Sequence, residues 1–133
     1  MNNIIKTVIE EIDTTIFELQ GDAVYIDMKE GIDEFYNGKL TKYAIFDFEK
    51  LKKHLSSDEI TLIAKQMSTL GKVREHGFDF IIVPTLLQYG LGRMYYAYFE
   101  SSDPIALKTK VMRSREEAIK WIRNNIAHPE IEE

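Results

Sequence analysis

The stretch KHLSSDEITLIAKQM, residues 53–67, sets two hydroxyls, Ser56 and Ser57, ahead of two acids and an apolar run with helical spacing. Hydroxyls so placed invite phosphorylation, because a phosphate in the first turn of a helix meets the positive end of the helix dipole. Both serines are therefore candidate phosphoacceptors. The same residues also spell a helix start. With Ser56 as N-cap, Glu59 falls at the third helical position of a capping box, and Leu55 can pack on Ile60 as a hydrophobic staple. A phosphate on Ser57 would crowd Asp58 and Glu59, so capping accounts for the stretch more simply. RSREEA repeats the logic, with Ser114 as cap and Glu117 three residues on.

Other chemistry-bearing residues are scattered. Lys108, Lys110, Arg113 and Arg115 form a basic run in the last quarter of the chain and are the candidate anion-binding residues. Asp47 ends an apolar strand pattern, at the strand end where α/β sheets place ligands, but only Lys50 or Lys53 suggests itself as a partner. More often such an aspartate caps the following turn. Gly90 and Gly92 in QYGLGRM lack the third glycine of a dinucleotide loop and sit inside a helical pattern, which points to close packing. His54, His76 and His128 are far apart with no ligand spacing, so no metal site is expected. Tyr89 and Tyr96, seven apart, share the side of their helix opposite Leu87, Leu91, Met94 and Tyr98, which marks them as a candidate partner surface.

Composition narrows the function classes. The 133 residues predict one domain around one core. No cysteine is present, which excludes disulfides, thiolate metal sites and cysteine nucleophiles. A net charge of −5 argues against general nucleic-acid binding. No apolar run reaches the length of a membrane span, and the N-terminus lacks the basic start and apolar core of an export signal. A cytoplasmic protein without integral membrane association is the expectation.

The elements follow from hydrophobic period. Ile16–Gln20 and Ala23–Met28 read as two strands around a tight Gly21-Asp22 turn, with Val24, Ile26 and Met28 on one face. Ile32, Phe35 and Tyr36 suggest a short helix stopped by Gly38. YAIFDF and FDFIIVP read as buried central strands. Between them Ile60, Ile63, Ala64, Met67 and Leu70 make an amphipathic helix. TLLQYGLGRMYYAYFE is the next helix, LKTKVMRS a strand, and REEAIKWIRNN a final helix with Ala118, Ile119, Ile122 and Ile126 mostly on one side. Residues 1–13 stand as an N-terminal extension and 127–133 as a polar tail. The expected fold is α/β, a mixed sheet of about five strands in which an N-terminal antiparallel hairpin is followed by βαβαβα.

Read in that order, the chain resembles the STAS/SpoIIAA-like group of bacterial domains, particularly small stand-alone members. The likeness spans about residues 14–126. It rests on YAIFDF ending in Asp47, on the helix of SSDEITLIAKQM, and on FDFIIVP leading to an edge strand and a last helix in which Glu116 or Glu117, Ala118, Trp121 and Ile122 match an E-x-A-x-x-W-[LI] ending. Two features depart from the pattern. The crossover after Met28 is short, and the D-S-S-G phosphorylation stretch is replaced by LSSDE, Leu55 to Glu59. The resemblance implies a non-enzymatic regulatory or protein-interaction domain, with a protein partner or a homodimer and no cofactor. It leaves open a module that binds a small anionic or lipid-like ligand, in the SpoIIAA/SEC14-like manner. An enzyme would need a nucleophile and base pair that the residues do not supply.

Overall fold

Short apolar runs build five strands, buried throughout at the centre of the sheet, and apolar residues at the helical period build two complete helices among the described residues. The computed structural model describes residues 4–21, 25–51, 56, 58, 59, 62, 66, 77–82 and 107–128. The strands are β1 (Ile4–Ile9), β2 (Thr14–Gly21), β3 (Tyr43–Leu51), β4 (Gly77–Ile82) and β5 (Leu107–Met112), and the helices are α1 (Tyr25–Asn37) and α2 (Arg115–Ala127). The strands lie side by side in chain order; β1 is antiparallel to β2, and β2 through β5 are parallel. This is the mixed five-stranded α/β sheet that the alternation of patterns predicts.

The N-terminal hairpin exists, but one of its strands is displaced. Ile4–Ile9 pairs with Thr14–Gly21, so the supposed N-terminal extension supplies the edge strand. A single 3-10 turn, Glu10–Ile12, links the two. Asp13 closes it with φ 48°, a left-handed conformation that aspartate tolerates better than most residues. Its carbonyl accepts from Tyr43 N and its carboxylate from Lys42 N, which ties the link to the start of β3.

The expected second strand, Ala23–Met28, is overturned: residues 25–28 open α1. Three apolar residues in alternation are too few to separate the two periods. Met28, Ile32 and Phe35, at i, i+4 and i+7, are the buried stripe, whereas Ile26 is 54% exposed. The short helix expected near Ile32 is therefore the second half of α1, and Gly38 follows its end, donating to Phe35 O.

Sequential parallel strands with right-handed crossovers place their connecting helices on one face of the sheet. There Phe17 stacks on Phe46 and meets the edge of Phe35 from α1, both at 5.3 Å between ring centroids. The residues described at 58, 59, 62 and 66 are helical, and Gln66 donates to Lys29 O and Asp33 Oδ1 of α1. The opposite face belongs to α2, whose Ala118 and Ile122 pack with Ile16, Tyr43, Ile45, Phe78, Phe80 and Ile82. Trp121 is partly buried against Phe78 and Phe80 with Lys110 over its ring. The α2 stripe differs from expectation in one place. Ile126 is exposed, and Asn125 is buried because its amide donates to the Tyr43 hydroxyl. The stripe expected at Ile60, Ile63, Ala64, Met67 and Leu70 lies outside the described residues.

Candidate functional site

The C-terminal ends of β2 and β3 carry a connected group of charged side chains. Alternation puts Glu18 and Asp47 on the α2 side of the sheet, and the parallel register sets them opposite one another. Between Glu18 and Gln20 the register shifts: β3 carries one residue more than β2 and Lys50 comes opposite Gln20. From above, Ser114 caps α2 by accepting from Glu117 N, and this cap delivers Arg115, the first residue of the helix, over the strand ends.

Arg115 joins the two acids. Its Nε and Nη2 lie 3.1 and 2.9 Å from Asp47 Oδ2, and Nη2 also donates to Glu18 Oε1. Glu18 Oε2 accepts from Gln20 and lies 3.4 Å from Lys50 Nζ. Asp47 Oδ1 accepts from Glu49 N, so this aspartate also caps the turn after its strand. Burial alone would raise the Glu18 carboxyl. The hydrogen bonds from Gln20 and Arg115 and the charges of Lys50 and Arg115 outweigh it and hold the group below the usual glutamate value. Burial would lower Arg115, and its bonds to Glu18 and Asp47 raise it instead. Two acids and two bases thus neutralise one another, with Glu18 and Arg115 held in their charged forms. Chemically this is a clasp that fixes the first turn of α2 to the middle of the sheet.

The residues singled out in the sequence do not converge here. Arg115 faces the acid pair, Lys110 lies over Trp121, and Arg113 is exposed; the Lys108 side chain lies outside the described residues. Ser56 is exposed and caps its helix: its Oγ accepts from Glu59 N, and its own N donates to Glu59 Oε1. Those reciprocal bonds are the capping box. Ser57, Tyr89 and Tyr96 lie outside the described residues. Among those described, no group of three or more His, Asp or Glu side chains could hold a metal, and no helix is long and apolar enough to cross a membrane. Glu18 went unremarked in the sequence. Its signal was a lone carboxylate within the apolar stretch Ile16–Leu19 of its strand, and nothing local named its partner.

No protein-family model matches the chain, and no significantly similar characterised protein was found. Among solved structures it is similar to an uncharacterized protein of the DUF3478 family from Shewanella loihica PV-4, at 18% identity and a TM-score of 0.58. The match covers 90% of this chain and 91% of the other, whose crystal structure has a SpoIIAA-like fold. With an α/β sheet, a clasped C-terminal helix and a likeness over nine-tenths of its length, this chain has the SpoIIAA-like fold.

Proposed function

We propose that this STAS-like domain is a non-enzymatic regulatory or protein-interaction module that works through its helix faces. One observation carries the reading: an exposed apolar pair on the α1 side of the sheet. α1 follows β2, and the helical residues 58, 59, 62 and 66 follow β3, its parallel neighbour. Gln66 ties them together through Lys29 and Asp33. Ile26 lies about one turn before Lys29 and Leu62 one turn before Gln66, so each stands about one turn N-terminal to the contact that joins the two segments. They are 54% and 47% exposed. Apolar side chains grouped on a surface favour contact with another protein.

The competing reading is a module for a small anionic or lipid-like ligand, drawing on the basic residues of β5 and α2. It is disfavoured because Arg115 is already held by two carboxylates that an incoming anion would have to displace.

The test is the double variant Ile26→Ser, Leu62→Ser, compared with the parent by sedimentation and by chemical cross-linking in extract of the source cell. A specific partner or dimer, lost in the variant at unchanged melting temperature, is the expected result. Retention of every cross-link would remove the helix-face reading. A small-molecule mass carried by freshly purified protein in native mass spectrometry would favour the ligand module instead.

A further inference from the structure

The chain holds one Asn-Gly pair, Asn37-Gly38, and it lies where α1 ends. Asn37 is the last residue of the helix, in the turn whose carbonyls lack intrahelical partners, and both residues of the pair are exposed. Gly38 N donates to Phe35 O at 3.2 Å, a long bond of a terminal turn. The fold keeps glycine at this position: a Cβ on Gly38 would stand 3.3 Å from Glu34 O, a backbone atom with little room to give. That requirement leaves the backbone nitrogen after Asn37 without a shielding side chain.

The other described asparagines are placed differently. Asn124 and Asn125 lie within α2, where Asn124 O accepts from His128 N and Asn125 is buried with its amide on the Tyr43 hydroxyl. Each is followed by a residue with a side chain, Asn125 and the β-branched Ile126, which crowds the next backbone nitrogen.

We propose that Asn37 is a site of spontaneous covalent modification, deamidating through a succinimide to aspartate and isoaspartate. The Gly38 nitrogen gives its proton to solvent base and attacks Asn37 Cγ; the bond from Cγ to the side-chain nitrogen breaks, and that nitrogen leaves as ammonia. Water then opens the cyclic imide. Opening at Cγ gives aspartate, and opening at the main-chain carbonyl gives isoaspartate, in which the backbone runs through the former side chain. One water is consumed for each ammonia released, and nothing is oxidised or reduced. Either product sets a negative charge at the C-terminal end of α1, against the helix dipole and about one turn after Glu34. Beyond the pair the chain is anchored: buried Thr41 donates to Tyr43 O and shares a hydrogen bond with Thr15, and Lys42 N is held by Asp13. The lengthened isoaspartyl backbone is therefore absorbed in the last turn of α1 and residues 38–40. The product is an α1 with a frayed end and an unchanged β3.

The test is incubation of the purified protein at neutral and mildly alkaline pH, in buffer and in urea, followed by peptide mapping, with an isoaspartyl methyltransferase and labelled S-adenosylmethionine as the probe for isoaspartate. The expected result is a gain of about one mass unit at Asn37, divided between aspartyl and isoaspartyl peptides. Its rate should rise with pH, because the attacking nitrogen must lose its proton. Terminal turns open at almost no cost in free energy, so the native rate should lie within about tenfold of the rate in urea. Asn37→Gln should abolish the gain and keep the melting temperature, since the longer side chain closes its ring far more slowly. A native rate below that limit overturns the proposal, because the turn then protects the pair. Aspartate without isoaspartate overturns the cyclic step, and a mass gain confined to other asparagines overturns the site. The Ile26 and Leu62 variant should deamidate like the parent, which keeps this outcome separate from the helix-face reading.

Discussion

Arg115 Nη2 lies 2.9 Å from Asp47 Oδ2 although 68 residues separate them in the chain. The same nitrogen donates to Glu18, 97 residues away. One guanidinium at the start of the last helix therefore joins two neighbouring parallel strands at their C-terminal ends, the edge at which open α/β sheets commonly hold ligands.

Removing the cation should cost more than removing the whole clasp. Arg115→Met leaves the buried Asp47 carboxylate without its guanidinium, and breaking such a pair costs about 2–3 kcal/mol once partial exposure of the arginine is allowed for. The triple variant Arg115→Met, Glu18→Gln, Asp47→Asn removes all three charges and should recover part of that loss. Urea denaturation of both proteins checks the order. A triple variant less stable than the single would show that the clasp contributes net attraction.

The clasp also predicts an acid dependence. The Glu18 pKa is lower in the folded chain than its ordinary value of 4.5. The unfolded chain therefore takes up this proton first as pH falls. The contribution to stability is complete above the unfolded value and disappears as pH drops through the folded one. Denaturant midpoints of the parent should fall from about pH 5 downward, and Glu18→Gln should flatten the slope. An identical acid profile in the variant would mean that Glu18 gains nothing from its neighbours.

Two serines cap helices through the same acceptor bond and should respond alike to its loss. Ser56→Ala and Ser114→Ala each remove the acceptor for a backbone N–H three residues on, at 3.1 and 3.2 Å, and should each destabilise by about 1 kcal/mol. Aspartate at either position should retain most of the cap. Thermal melts of the four variants check this, and an unchanged Ser56→Ala midpoint would mean that the capping box contributes nothing.

Local patterns in the sequence determined much of the fold. YAIFDF and FDFIIVP are long enough as apolar runs to mark central strands, and the Ser56 capping box and the Ser114 cap are legible because their bonds span three residues. REEAIKWIRNN likewise identifies itself as the last helix by its period. The outcome at residues 4–9 and 25–28 was decided by packing. Val24, Ile26 and Met28 alternate in the sequence as well as any strand, but in the fold Ile26 is exposed while Met28, Ile32 and Phe35 are buried at helical spacing, and β1 forms because β2 offers it an edge. Asn125 reads as a solvent residue until Tyr43 supplies a hydroxyl to receive its amide. The Glu18, Asp47 and Arg115 clasp was equally out of reach. Each residue is ordinary in its own segment, and an ion pair depends on distance in space, which the parallel register and the Ser114 cap set together only in the folded chain.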